Sequence, residues 1–536
     1  MAFLKKEKKK YGTYLRMVES YRDEIGKSRH RTIANLGKAE DYSQKTLKKI
    51  GRIFLELAGE EYQEKETKTI VEKKRLNYGF VQVYDKIMHH YKLDSLLSNI
   101  GKRHNLSYDL YKQILLMLVE RLNDPCSKLS NYNNQKEYYG LSGIKLQHLY
   151  RSLDYLSENQ QHIQAQIYET GRHLFNRKLD VVFYDVTTFY FDSEKEDGFR
   201  NKGYSKDGKI GKTVIVFGML IDKDKNPVGY NVYEGGFYEG HTFKDAIEKL
   251  RQEYEIEKVI TVADRGMMSK SNIEIVEEQS GYEYIVGERL KNLPNKVKER
   301  ILNKNNYSET RIIDETTGEI IPLQYLEIEY KGKRIITTYS QKRAEKDRYD
   351  RQERIRKGEK MLENQSIAER KAKRSYLTRQ GNKEKYVLDE KKIENDAKYD
   401  GLASIATNNR ELPVEEILNQ YRHLYKIEQT FRTFKSYLET RPMFHWTKTR
   451  IKGHLCLCYI SFTMLNYLIN KLRNNNLKLS ENKIRKLLRK MQLSEVEIDG
   501  QGFYIRSRQS NETKQLINIL QLAKVPNFTK TSELNL

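Results

Sequence analysis

Residues 180–192, DVVFYDVTTFYFD, constrain the fold more than any other part of the chain. The run is apolar and rich in β-branched and aromatic residues, so it reads as a strand, yet Asp185 sits in its middle. Alternation puts Phe183, Asp185 and Thr187 on one face. Two more strands follow at 213–222 (TVIVFGMLID) and 227–235 (PVGYNVYEG), with a turn at Asp224-Lys225-Asn226 between them. Next come a helix around 242–254, a strand KVITVAD that ends on Asp264, a helix near 270–279 and a strand at 283–287. Three antiparallel-type strands followed by alternating helices and strands predict a mixed α/β sheet.

An ionised carboxylate inside such runs is costly unless it has a partner. Taken singly, Asp185 and Asp264 read more readily as turn or capping residues. A third acid, Glu428, reverses that balance. It lies in YRHLYKIEQTFRTFK, within a helix expected over 413–438. At about 100° per residue, Tyr421, Tyr425, Glu428, Arg432 and Lys435 share a stripe roughly 80° wide. Ile427, Phe431, Phe434 and Leu438 form the adjoining core face. The plainer alternative is an i,i+4 surface ion pair between Glu428 and Arg432.

The acids stand in a basic chain: 98 Lys and Arg against 74 Asp and Glu give a net charge of +24. Codon bias toward Lys accounts for part of that surplus but cannot create the carboxylate pattern. The charge favours a polyanionic partner over a small neutral substrate, and clustered acids in such a chain suggest a divalent-metal site that works on a polyanion. Cys126, Cys456 and Cys458 are too few and unpaired for a disulfide framework, and their spacing does not suit zinc. The N-terminus lacks an apolar signal core, and the most apolar window, 455–465, is too short to span a bilayer. A soluble, cytoplasmic protein with no membrane partner is expected, with that window as a buried helix.

A length of 536 residues implies about two to four domains. Residues 1–37 hold a basic β-hairpin, either a DNA-facing ribbon or a structural hairpin with a wet basic face. Residues 38–178 turn helical and are expected to form a DNA-binding domain. The α/β core spans 179–297 and 400–450, a partly β insertion occupies 298–399, and 451–536 is expected to be helical.

Asp on the first strand, Asp on the fourth and Glu on a late helix behind a long insertion: this order resembles the DDE transposases of bacterial insertion sequences, whose catalytic domain has the ribonuclease-H-like fold. The insertion-sequence-four-like superfamily is the nearest likeness, through YDVTTFYF, GYSKDGK, the AD-RG pair, DAKYDGLASIATN and IEQTFRTFKS. It covers most of residues 10–470. That superfamily marks its glutamate helix with Tyr-x2-Arg-x3-Glu-x6-Lys; Tyr421, Glu428 and Lys435 match, while Leu424 replaces the arginine.

The resemblance implies that Asp185, Asp264 and Glu428 hold two Mg²⁺ ions, with Mn²⁺ able to substitute and Asp185 bridging. It implies cleavage at transposon ends followed by strand transfer. The partners would be double-stranded DNA, as terminal inverted repeats and target, and a second copy of the chain in a synaptic homodimer. Tyr421, Tyr425, Lys435 and Arg265 are then expected to contact DNA, with Arg432 covering part of the missing arginine's role. Trp446 either stacks on an extruded base or anchors a core or interface. Lys202, Lys206, Lys209 and Lys212 either track phosphates or are solvated turn residues; His241 caps a helix or orients a ligand, and His454 reads as a satisfied core histidine. A ribonuclease-H-like nuclease without strand transfer and a non-catalytic DNA-binding descendant are the competing readings.

Overall fold

The computed structural model describes residues 2–60, 70–174, 180–254, 256, 258–264, 266, 269–313, 318–363, 376–380 and 385–534. They form two compact units, Met1–Val71 and Glu72–Leu536. The first unit is an antiparallel sheet of β1 (Ala2–Lys9), β2 (Gly12–Arg22) and β3 (Ser28–Lys38), followed by a helix at Gln44–Leu57. The Ser43 side chain caps that helix by accepting from the Thr46 amide. The expected hairpin is present as β2 and β3. The lysine-rich β1 joins it in unbroken register from Ala2↔Glu19 to Lys9↔Gly12. Glu7 lies 3.1 Å from Lys5 and 3.7 Å from Arg16, so ion pairs rather than apolar content accompany this strand. The division after Val71 also places the Gln44–Leu57 helix with the sheet, not with the helices that follow.

The second unit opens with β4 (Glu72–Asn77) and a set of helices from Gly79–His90 to Gln160–Leu174. These pack with the long Lys448–Asn474 helix in one apolar core. Lys448–Asn474 is long and apolar enough to cross a bilayer, but 89% of its apolar window is buried inside the protein. It is a core helix, as the 455–465 window predicts.

Next in the chain are β5 (Val181–Tyr190), β6 (Asn201–Lys202), β7 (Thr213–Asp222), β8 (Pro227–Tyr233), β9 (Val259–Ala263) and β10 (Tyr282–Glu288). β7 pairs antiparallel with β5 and with β8, while β9 runs parallel to both β5 and β10. The order β8-β7-β5-β9-β10, three antiparallel strands followed by two parallel ones, is the ribonuclease-H-like arrangement. Apolar cores cover both faces. Val182, Tyr184 and Val186 pack with Phe243 and Ile247 of the Glu239–Gln252 helix, whereas Phe183 and Val262 join the core shared with the late helices.

Two expectations about organisation change. The 298–399 segment does contain strands, β11 (Ser308–Ile313), β12 (Ile320–Tyr330) and β13 (Lys333–Tyr339), a helix at Gln341–Leu362 and a small pair, β14 (Leu377–Arg379) and β15 (Tyr386–Leu388). Yet β16 (Leu402–Thr407) pairs with β10 on one side and β13 on the other, so β11–β13 extend the central sheet to ten strands. Pairing of this kind closes the β10 edge that would otherwise stay open. The C-terminal region is not all helical either. β17 (Gln492–Ile498), β18 (Gln501–Arg506) and β19 (Phe528–Lys530) form a four-stranded sheet with β4. Asp499 and Gly500 both have positive φ, 52° and 74°, the conformation a tight two-residue hairpin turn requires.

Candidate active site

β5 and β9 pair in parallel register up to Tyr184↔Ala263, so Asp185 and Asp264 occupy the next positions on adjacent strands. Period-two alternation puts both on the face of Phe183 and Val262. The late helices cover that face: the ring of His423 meets Phe183 at 6.3 Å, and Ile427 and Phe431 are buried in the same core. Glu428 therefore faces the strand acids from across a gap. Asp185, Asp264 and Glu428 all line one cavity of about 760 Å³, together with Lys206, Arg343, Tyr421, Arg422 and Tyr425.

Within this cavity Asp185 is half-buried, and Asp264 and Glu428 are exposed. Asp185 Oδ1 accepts the Val186 amide at 2.7 Å and has Lys206 Nζ at 3.9 Å. Lys206 donates to the Val186 carbonyl at 2.6 Å, which brings the GYSKDGK segment against the first acid. The three acids offer only carboxylate oxygens, which suit a hard cation such as Mg²⁺ better than a thiol or imidazole set would. Among the described residues no three His, Cys, Asp or Glu side chains stand close enough together to hold a metal ion. The acids thus share a cavity rather than a cage, and the donor chemistry fits the implied metal.

The expected continuous helix over 413–438 is instead three segments: Val414–Arg422, Tyr425–Arg432 and a π turn at Thr433–Tyr437. The Leu438 amide reaches back five residues to the Thr433 carbonyl at 2.9 Å. A π turn shifts helical phase, so a stripe projected at a constant angle does not carry through to Lys435. Tyr421, Tyr425 and Glu428 still share the cavity, but Arg432 and Lys435 do not line it. Arg432 is exposed. Lys435 turns to Asp207, at 3.0 Å, which also has Arg441 at 3.3 Å. Burial pulls the Lys435 ammonium below its usual range, and the Asp207 carboxylate opposes that shift. Sequence reasoning missed Arg422, which reaches the cavity although Leu424 holds the motif's arginine position, and Arg343, which comes from the insertion. Arg422 neighbours Tyr421 on the Val414–Arg422 helix but lies off the motif's spacing, and Arg343 follows β13, whose pairing with β16 no local pattern announces.

Residues 176–464 match the family described as the transposase DDE domain, more than half of the chain. The chain belongs to the DDE transposase family. Residues 4–70 match the N-terminal domain of the IS1634 family of transposases, nearly coincident with the first compact unit. It is thus a DDE-type insertion-sequence transposase, a class that transposes DNA and typically uses divalent metals. A cryo-EM structure of the piggyBac transposase synaptic complex with hairpin DNA is similar at 10% identity and a TM-score of 0.37, over 77% of this chain and 78% of that one. No curated protein matches the chain.

The transposase's other sequence-predicted residues scatter. Arg265 lies outside the described residues. Trp446 is 61% exposed, with the Arg200 guanidinium 4.7 Å from its ring, so it is not a core anchor. It does not line the acid cavity. Lys212 pairs with Asp192 at 3.0 Å and Lys209 sits over the Tyr190 ring, which leaves Lys206 as the one of the four lysines that lines the acid cavity. His241 is the third residue of the Glu239–Gln252 helix, whose N-cap is Tyr238, so it is not a cap. His454 is buried, as expected of a core histidine, but it is not a satisfied one, since its Nδ1 has no hydrogen-bond partner among the described residues.

Proposed function

We propose that this transposase cleaves DNA at the ends of its element and joins the freed 3′ ends to target DNA, using the cavity of Asp185, Asp264 and Glu428. The observation that carries the reading is that three acids from widely separated segments line one cavity with cationic neighbours. Asp185, Asp264 and Glu428 would hold two Mg²⁺ ions, or Mn²⁺ in their place. When bound, the ions would supply Lewis-acid stabilisation of the phosphoryl-transfer charge and activation of the attacking oxygen. Lys206, Arg343 and Arg422 would hold backbone phosphates at the cavity, while Tyr421 and Tyr425 would fix the strand beside the acids. Lys435 would join them once DNA competes for its ion pair with Asp207. Two element ends require two active sites, so the working form would be a homodimer on double-stranded terminal repeats and target DNA.

The test uses a pre-cleaved element end and a plasmid target. A transposase joins the end to the plasmid in Mg²⁺ or Mn²⁺ and stops when the metal is chelated. Cleavage of uncut ends without any joining would instead identify a nuclease. Arginine roles separate in the same assay. Arg422→Ala is expected to weaken end binding and cleavage by roughly ten- to a hundredfold, the worth of one charge-assisted phosphate contact. Arg432→Ala should change them little, because Arg432 lies outside the cavity. The opposite ranking would return the missing arginine's role to Arg432.

A further inference from the structure

A second cavity, of about 220 Å³, shares no lining residue with the acid cavity. It lies where the helical part of the second unit meets the loop at 439–446 that follows the π turn. Arg121, Cys126, Lys128, Arg441, His445 and His454 are among its lining residues. Arg121, Lys128 and His454 are only 6%, 3% and 5% exposed. Burying so many nitrogen groups together is costly unless something accepts their hydrogen bonds.

Their partners in the protein are incomplete. Arg121 Nη1 donates to the Leu438 carbonyl at 3.1 Å, but its Nε has no partner among the described residues. His454 Nε2 lies 3.7 Å from the Cys458 sulfur; with that thiol as donor, the ring proton sits on Nδ1, which also lacks a partner. Lys128 donates to Asn131 Oδ1 at 3.2 Å, and the Asn131 amide donates in turn to the buried Glu120 carboxylate at 3.2 Å. Burial, with Arg121 beside it, pulls the Lys128 pKa down to about 7, against the opposing pull of the buried Glu120 carboxylate. Burial also takes His445 down to about 3 and keeps His454 neutral. Among the lining acids there is only Glu439, which is exposed; Arg441 is engaged by Asp207. Phe444 lines the same cavity yet is 73% exposed, so the space opens to solvent.

A small oxyanion carries several acceptor oxygens, the complement that unpartnered donors around one cavity call for. We infer that this cavity binds a phosphate group, as inorganic phosphate or as a phosphate of a DNA strand, through Arg121, Lys128 and His454. The site is separate from the acid cavity and does not depend on the chemistry proposed there.

Titration of the full-length protein with inorganic phosphate, against chloride at equal ionic strength, tests the inference. Phosphate should raise the melting temperature of the wild type. Cys126 lines the cavity and is the most accessible of the three cysteines, so phosphate should also slow its alkylation, with no substitution needed. Lys128→Met replaces a buried amine by an apolar chain of similar length and loses its bond to Asn131, so its response to phosphate is read against its own phosphate-free melting temperature. It should lower phosphate affinity about tenfold or more. Duplexes with and without a 5′-phosphate then compete for Cys126 protection. Competition by both points to a backbone phosphate, competition by the phosphorylated duplex alone to a terminal one, and competition by neither to free phosphate. No rise in melting temperature and no protection of Cys126 in the wild type would overturn the inference, as would equal responses in Lys128→Met.

Discussion

Replacing Asp185 by alanine or asparagine is expected to lower strand cleavage on the order of a thousandfold or more while end binding persists. The strand itself should hold, because β5 is paired along both edges, with β7 and with β9. Asparagine keeps the side-chain oxygen that accepts the Val186 amide, so the local hydrogen bond survives and only the charge is lost. Removing a negative charge beside Lys206 cannot weaken the attraction of phosphates to this cavity; if end binding changes, it should tighten. Glu428→Gln should behave alike, since Glu428 reaches the same cavity from a separate helix and is exposed there. Cleavage close to wild type in Asp185→Asn, with an unchanged melting temperature, would remove Asp185 from the active site.

Much of this site could be read from the residues because its parts lie in segments with strong local signals. β5, β7 and β8 are apolar runs with a turn between the last two, and they fall where the sequence predicts them. The likeness in residue order then implied that two strand acids and a helix acid belong together, and they line one cavity. What could not be read depends on partners distant in sequence. Nothing in AFLKKEKK announces β1, whose strand character comes from pairing with β2. The 414–438 segment contains neither Gly nor Pro, so its periodicity runs on smoothly while the structure breaks it at His423 and Leu424 and again at the π turn. The π turn begins between Glu428 and Lys435, which leaves the cavity, whereas Arg432 shares the Tyr425–Arg432 segment with Glu428 and is simply exposed outside it. Likewise, β11–β13 read as strands, but only their pairing through β16 shows that they prolong the central sheet. The β17–β18 hairpin is a different case: Asp499-Gly500 between alternating residues is a local signal that the helical reading of the C-terminal region passed over.

Gly453→Ala is expected to destabilise the second unit by about 3 kcal/mol or more, at the upper end of what overpacking a core costs. Gly453 lies in the buried Lys448–Asn474 helix, where it meets the Leu146–Glu158 helix. A Cβ at that position would stand 1.9 Å from the Leu153 carbonyl oxygen and 2.6 Å from its carbon. Both atoms are backbone inside a helix, so no rotamer change relieves the clash and the two helices must separate. Separation then opens gaps in a core where Leu149, Leu153 and Leu457 are all fully buried, and each gap adds its own cost. Gly101→Ala supplies the contrast within the same unit. Its added methyl would meet only Leu110 Cβ at 3.8 Å and Leu106 Cδ1 at 4.0 Å, ordinary contact distances. There the helix-propensity gain, up to about 1 kcal/mol, should dominate and the change should be neutral or stabilising. Urea unfolding of both variants decides the matter: the midpoint should fall for Gly453→Ala and hold or rise for Gly101→Ala, with little change in slope. A Gly453→Ala protein as stable as its parent would mean that the long helix and the Leu146–Glu158 helix do not approach to backbone contact.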